Sequence, residues 1–173
     1  MRNDSIGPDL FRSLAGSLPT GVTVITAMDA ARRPVGMTSG AVCGLSRTPP
    51  LLLACVGKSS RTLPSILRSG GFCVNVLDGG SAWLSDRFAG TSDDKFDGVP
   101  WRPSRNGAPV LTEGVVAHAV CEVFSTVDGG DHLIVVGLVV DGELHDDEGA
   151  PLVYHRRRYA AFPGSKSISA HNG

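Results

Sequence analysis

Gly57-Lys58-Ser59-Ser60-Arg61-Thr62 holds the densest chemistry in this sequence. Three hydroxyls (Ser59, Ser60, Thr62) and two cations (Lys58, Arg61) meet where an apolar run gives way to a helical pattern. Free backbone N–H groups and the positive end of a helix dipole converge at such a point. Hydroxyl donors with an arginine suit a phosphate dianion. The same residues would also serve an ordinary capped helix with exposed charges, and spacing alone does not separate the two readings. Gly57-Lys58-Ser59 is not a Walker A loop, because that motif needs a glycine where Leu52 stands. No strand–GxGxxG–helix fingerprint occurs. A dinucleotide would have to be held by another geometry.

The histidines come next. His132 follows Asp131 at the start of an apolar run. It could orient a ligand or relay a proton, or it could be a plain turn residue. Asp131 is a candidate partner, although neighbouring strand residues point to opposite faces. His118 alternates with apolar residues from Val115 to Val123 and reads as a core or rim histidine. His145 sits beside Asp146, Asp147 and Glu148. That cluster suggests metal, but a solvated hairpin tip is the simpler reading, and no metal site is expected. Cys43, Cys55, Cys73 and Cys121 show no Cys-x-x-Cys spacing and lie in apolar contexts. They read as reduced, buried small hydrophobes.

These residues need elements to position them. Leu10, Phe11, Leu14 and Leu18 recur at helical spacing, which predicts a short amphipathic helix from Pro8 to Leu18 covering part of a sheet. Gly21 to Ala27 is rich in β-branched residues and predicts a strand. Val35 to Leu45 has strand character interrupted by Gly36, Gly40 and Gly44, as where a ligand comes close or a strand bulges. Leu51 to Val56 is wholly apolar and predicts a strand buried on both faces. A helix with a hydroxyl N-cap and a glycine C-cap at Gly70 or Gly71 follows. Phe72–Leu77, Val115–Val127, Leu133–Leu144 and Leu152–Tyr154 predict further strands, and Ser81–Phe88 a short helix. Strands follow strands without regular crossover helices. This favours a mainly β, antiparallel barrel with a few short capping helices over a doubly wound sheet.

Composition narrows the function. The 173 residues favour one domain, here 1–162, with a small polar tail over 163–173. Hydrophobic residues make up 42% and charged residues 19%, which is globular. A net charge of −1 provides no field for nucleic acid, and Arg156-Arg157-Arg158 is too short a basic run to change that. The polar start leads into no secretory run and no stretch approaches the ~20 apolar residues of a membrane span, so a cytoplasmic place is expected.

A series of segments then carries a resemblance: Gly36-Met37-Thr38-Ser39-Gly40-Ala41, Pro49-Pro50-Leu51-Leu52-Leu53, Ser59-Ser60-Arg61-Thr62 and Phe72-Cys73-Val74-Asn75-Val76-Leu77. Arg87-Phe88-Ala89-Gly90, Asp94-Lys95-Phe96, Gly107-Ala108-Pro109-Val110-Leu111, Gly129-Gly130-Asp131-His132 and Tyr154-His155-Arg156 follow in order. From about Phe11 to Phe162 the chain resembles the short-chain flavin reductases, the small partners of two-component flavin-dependent monooxygenases. The resemblance implies a Greek-key split β-barrel, usually a homodimer, that binds FMN, with FAD possible, and takes NADH or NADPH as reductant. It implies that Met37, Thr38, Ser39, Gly40 and Ala41 run along the isoalloxazine. It places Val56, Gly57, Ser59, Ser60 and Thr62 at the ribityl phosphate, with Phe88, Lys95 and Phe96 closing over the flavin. It assigns His132 as the catalytic histidine at the nicotinamide, with Tyr154, Arg156 and Tyr159 also facing NAD(P)H. Two positions depart from the pattern: Arg157 stands where glycine is expected, and Gly40 where many relatives carry serine. A flavin- or haem-handling protein on the same barrel, or a flavin-binding module without turnover, would share these segments.

Overall fold

The structure is a computed structural model that describes residues 5–145 and 149–162. The tail expected over 163–173 lies outside the described residues. In chain order the elements are α1 (Pro8–Ala15), β1 (Thr20–Gly21), β2 (Thr23–Met28), β3 (Pro34–Ser39), β4 (Val42–Arg47) and β5 (Pro50–Gly57). Next come α2 (Leu63–Ser69), β6 (Gly71–Leu77), α3 (Ala82–Ala89), β7 (Trp101–Pro103) and β8 (Pro109–Leu111). The long pair β9 (Val115–Gly129) and β10 (His132–Leu144) precedes the hairpin of β11 (Leu152–His155) and β12 (Arg158–Ala161).

Seven strands form one antiparallel sheet in the order β3-β2-β6-β9-β10-β5-β4. Its two edges, β3 and β4, are separated in the chain by Gly40 and Ala41 alone. The chain therefore carries one edge round to the other and curls the sheet into a barrel that stays split between them. The Cys55 N–H donates to the Ala41 carbonyl at 2.9 Å and fastens the corner to β5. A Cβ at Gly40 would lie 2.6 Å from the Thr20 hydroxyl, so a larger residue at this corner would require the Thr20 side chain to move. The single strand expected over Val35–Leu45 is thus two strands on opposite edges, with a bulge after Gly44.

Ile25, Ala54, Val56, Phe72, Val74 and Val135 fill the barrel, and α2 adds Leu63 and Ile66. A second cluster joins Val22, Val24, Leu77, Leu111 and Leu152 to Leu84 and Phe88 of α3. β2 lies between the two clusters and, like β6, is buried on both faces. That role was expected of Leu51–Val56. In β5 only Ala54 and Val56 are buried, while Leu51, Leu52, Leu53 and Cys55 are half-exposed. An apolar run says that a strand is apolar, not that both its faces are covered.

Two further expectations are corrected. α1 buries none of its residues, and Leu10, Phe11 and Leu14 stand exposed instead of covering a sheet. The cysteines are free thiols, but Cys43 is exposed and Cys55 half-buried. Cys73 and Cys121 are buried, and desolvation pushes both thiols up to about 12. No helix among the described residues is long and apolar enough to cross a membrane.

Candidate active site

A cleft of about 650 Å³ opens between β3, the loop from Ser59 to Thr62, and the segment from Phe88 to Phe96. β3 pairs only with β2, so its outer edge offers unpaired backbone groups to this cleft. Gly36 lets α3 approach that strand, since a Cβ there would lie 2.9 Å from the Phe88 ring. Phe88 and Phe96 meet edge to face at 5.0 Å and form an aromatic wall.

The loop is built from both sides. The Lys58 N–H donates to the Asp131 carbonyl at 2.9 Å, and the Ser60 N–H to the Gly57 carbonyl at 2.9 Å. The Ser60 hydroxyl accepts from the Thr62 N–H at 3.2 Å and lies 3.1 Å from the Met37 sulfur. Thr62 is the N-cap of α2, yet its side chain makes no capping bond. Pro64 in the first turn offers no N–H, and the helix is only seven residues long. The hydroxyls therefore contribute more to this site than the helix dipole does.

The cations are arranged differently from the expectation. Lys58 pairs with Asp128 at 2.5 Å. Arg61 reaches across to Asp93 and to the carbonyls of Thr91 and Ser92, tying the loop to the far wall. The Lys95 ammonium donates to the carbonyls of Phe88 at 2.7 Å and Gly36 at 3.3 Å. Among the described residues no carboxylate pairs with Lys95. Burial, reinforced by the Arg61 charge, lowers its pKa from the ordinary lysine value. An uncompensated cation thus lines the cleft beside three hydroxyls.

Thr38 and Ser39 spend their side chains on the fold. The Thr38 hydroxyl donates to the Ser85 carbonyl at 2.6 Å, and the Ser39 hydroxyl accepts from the Ala41 N–H at 3.1 Å. Their backbones, with those of Met37 and Gly40, are what remain for a ligand. Val56 is buried in the barrel core and does not line the cleft.

His132 stands at the head of β10, directly across from Gly57 of β5. Its Nε2 lies 3.7 Å from where a Gly57 Cβ would be, so that glycine leaves room for the ring. Its Nδ1 bonds Asp131 Oδ1 at 2.7 Å. The strand argument against this pair fails because Asp131 belongs to the turn and not to the strand. The bond to His132 is the first cause holding the Asp131 carboxyl below its usual value.

Tyr154, Arg156 and Tyr159 gather elsewhere. Tyr154 and Arg156 line a second, larger concavity against Phe11, Ala15 and Gly16. Tyr159 bonds the Ser85 hydroxyl at 2.9 Å and Asp86 at 2.9 Å, and so reaches β3 only through α3. Within one chain no hydrogen bond among the described residues joins this cluster to His132. The Arg156-Arg157 turn has φ of 48° and 63°, the left-handed conformation of a two-residue hairpin turn. Arg157 accepts there a conformation that glycine takes without strain.

Among the linings not foreseen are Asp93, Ser92 and Arg33. They are polar residues in turns whose approach depends on folding alone. Ser92 carried a faint local signal, because its hydroxyl caps the turn before Lys95 by accepting from the Asp94 N–H.

Comparison with known proteins decides what such a barrel is. Residues 15–163 match the flavin reductase like domain. The chain belongs to the flavin reductase family. This reductase is 48% identical over 156 residues to a flavin reductase (NADH) of Kitasatospora aureofaciens, covering 90% of its own chain and 82% of the relative. It is 41% identical over 167 residues to the reductase subunit HsaB of a flavin-dependent monooxygenase from Mycobacterium tuberculosis, covering 96% and 88%. The solved NADH:FAD oxidoreductase SgcE6 of Streptomyces globisporus superposes with a TM-score of 0.84 at 31% identity, covering 94% of this chain and 99% of that one. The reductase is accordingly an NAD(P)H-dependent flavin oxidoreductase on a split-barrel fold.

Proposed function

We propose that this reductase, one domain over residues 1–162, takes FMN in the cleft beside β3, uses NADH as reductant and works as a homodimer. Lys95 carries the first part. A partly desolvated ammonium with only carbonyl acceptors, beside Ser59, Ser60 and Thr62, fits a phosphate monoester. The flavin and nicotinamide supply the hydride chemistry when bound. The chain's own residues bind and orient them. The outer backbone edge of β3 at Met37 and Thr38 meets the ring, and Phe88 and Phe96 exclude water from one side. Val56 and Gly57 end β5 where the phosphate loop begins. His132, oriented by Asp131, holds the nicotinamide at the rim. The NADH preference rests on the relative named for that reductant.

The dimer is supported by apolar surface that one chain leaves uncovered. Cys55, Ile134 and Val127 lie side by side across β5, β10 and β9, and Val127 is 53% exposed. α1 exposes Phe11 and Leu14 beside Tyr154 and Arg156, so a second copy would complete a nicotinamide site from that cluster. Reduced flavin would pass to a monooxygenase, the partner that the names of several relatives specify.

The test is oxidation of NADH and NADPH by purified protein with FMN, FAD or riboflavin added. Saturable NADH oxidation with FMN preferred over riboflavin is expected. Equal use of FMN and riboflavin would sink the phosphate assignment, and no turnover with any pair would sink the reductase. Ser60→Ala with Thr62→Ala should favour riboflavin relative to FMN. His132→Ala should raise the KM for NADH and leave FMN binding nearly unchanged.

A further inference from the structure

The far end of the β9–β10 ribbon holds a second cluster that flavin reduction does not use. His118 of β9 stands directly across from Glu143 of β10. His145 follows two residues later, on the same face by strand periodicity. Its N–H donates to the Val116 carbonyl at 2.8 Å, so the backbone there is held in register. His118 is buried at 6% exposure, while Glu143 and His145 face solvent. His118 Nδ1 and His145 Nε2 lie 2.9 Å apart. One ligand atom from each of the three residues falls within 4.8 Å of the others.

We propose that His118, Glu143 and His145 bind one divalent transition-metal ion of the zinc class. Two imidazoles and a carboxylate are a zinc donor set with one position left open to water. Imidazole nitrogen favours zinc, copper or nickel over calcium or magnesium. Adjacent donors around a tetrahedral zinc with Zn–N of ~2.0–2.1 Å lie ~3.3 Å apart. The two ring nitrogens need only open slightly from their present spacing to admit an ion. Burial first, and then the neighbouring His145, lowers the His118 pKa from the ordinary histidine value. Arg102 competes for Glu143 at 3.4 Å, but both side chains are about half exposed and the pair is solvent-screened. Eleven residue steps along β10 at ~3.3 Å each separate Glu143 from His132, so the ion would sit far from the flavin cleft.

The rival account is a plain hydrogen bond between two neutral imidazoles. Calorimetric titration of tag-free, chelator-treated protein with Zn²⁺ separates the two, in a Cys43→Ser background that removes the exposed thiol. One ion per chain at micromolar concentration is expected, and Co²⁺ should give the visible absorption of four-coordinate cobalt. His145→Ala and Glu143→Gln, both at exposed positions, should each weaken Zn²⁺ by at least the roughly 10–100-fold that losing even an outer partner costs. Flavin-dependent NADH oxidation should be unchanged in both and reports that they fold. No Zn²⁺ uptake, or uptake that neither substitution weakens, would overturn the site.

Discussion

Two of the molecule's concavities are built in opposite ways. The cleft beside β3 is walled by one chain: Arg61 ties its two sides together, Lys95 braces β3 against α3, and Phe88 is rooted in the core. The concavity between α1 and the β11–β12 hairpin has exposed apolar walls, and its helix buries nothing. The first is preorganised by the fold, so its groups need no ordering when a ligand arrives. The second has surface waiting to be covered. A site made of both would join a rigid flavin cradle to a nicotinamide wall that exists only on assembly.

The largest test of the rigid side is Phe88→Ala. Phe88 is fully buried, and its removal should cost about 3–5 kcal/mol in chemical denaturation while abolishing flavin saturation. An unchanged KM for flavin would mean that the wall does not shape the site. Next is Lys95→Met. Loss of a charge-assisted bond worth about 1.5–3 kcal/mol should raise the KM for FMN roughly 10–100-fold and leave that for riboflavin alone. Equal effects on both flavins would show that Lys95 only braces β3. On the other side, Arg157→Gly should stabilise the hairpin by about 1 kcal/mol, read as a higher midpoint of unfolding, because a left-handed arginine is relieved. A lower midpoint would mean that the arginine makes contacts outweighing its strain. The smallest effect on stability is expected from Phe11→Ser with Leu14→Ser. These exposed residues should change monomer stability by no more than about 0.5 kcal/mol, yet light scattering should show the dimer weakened. A dimer that survives intact would remove α1 from the interface.

Much of this was legible beforehand, because it depends on local chemistry. β-branched runs, turn residues and the order of segments announced a mainly β barrel with short helices. The cluster of Ser59, Ser60 and Thr62 announced a polar loop at a strand end. Lys95 was named among the flavin residues, but its lack of a carboxylate partner was not visible, since pairing depends on which turns fold back beside it. Arg61 looked like a phosphate ligand and became a strut to Asp93 for the same reason. His145 looked like a solvated tip, and only the register of β9 against β10 brings it onto His118.

Sequence alone determined most of the longer strands, the glycines that let backbones close on one another, and the family to which the chain is similar. Those follow from side-chain shape and backbone freedom, which each residue carries wherever it sits. Tertiary structure alone decided that one strand-like stretch splits at Gly40 to curl the sheet into a barrel, that β2 and β6 but not β5 are covered on both faces, and that the Tyr154 cluster stands apart from His132. Closure, coverage and convergence are relations between segments distant in the chain, and they exist only once the sheet has chosen its order.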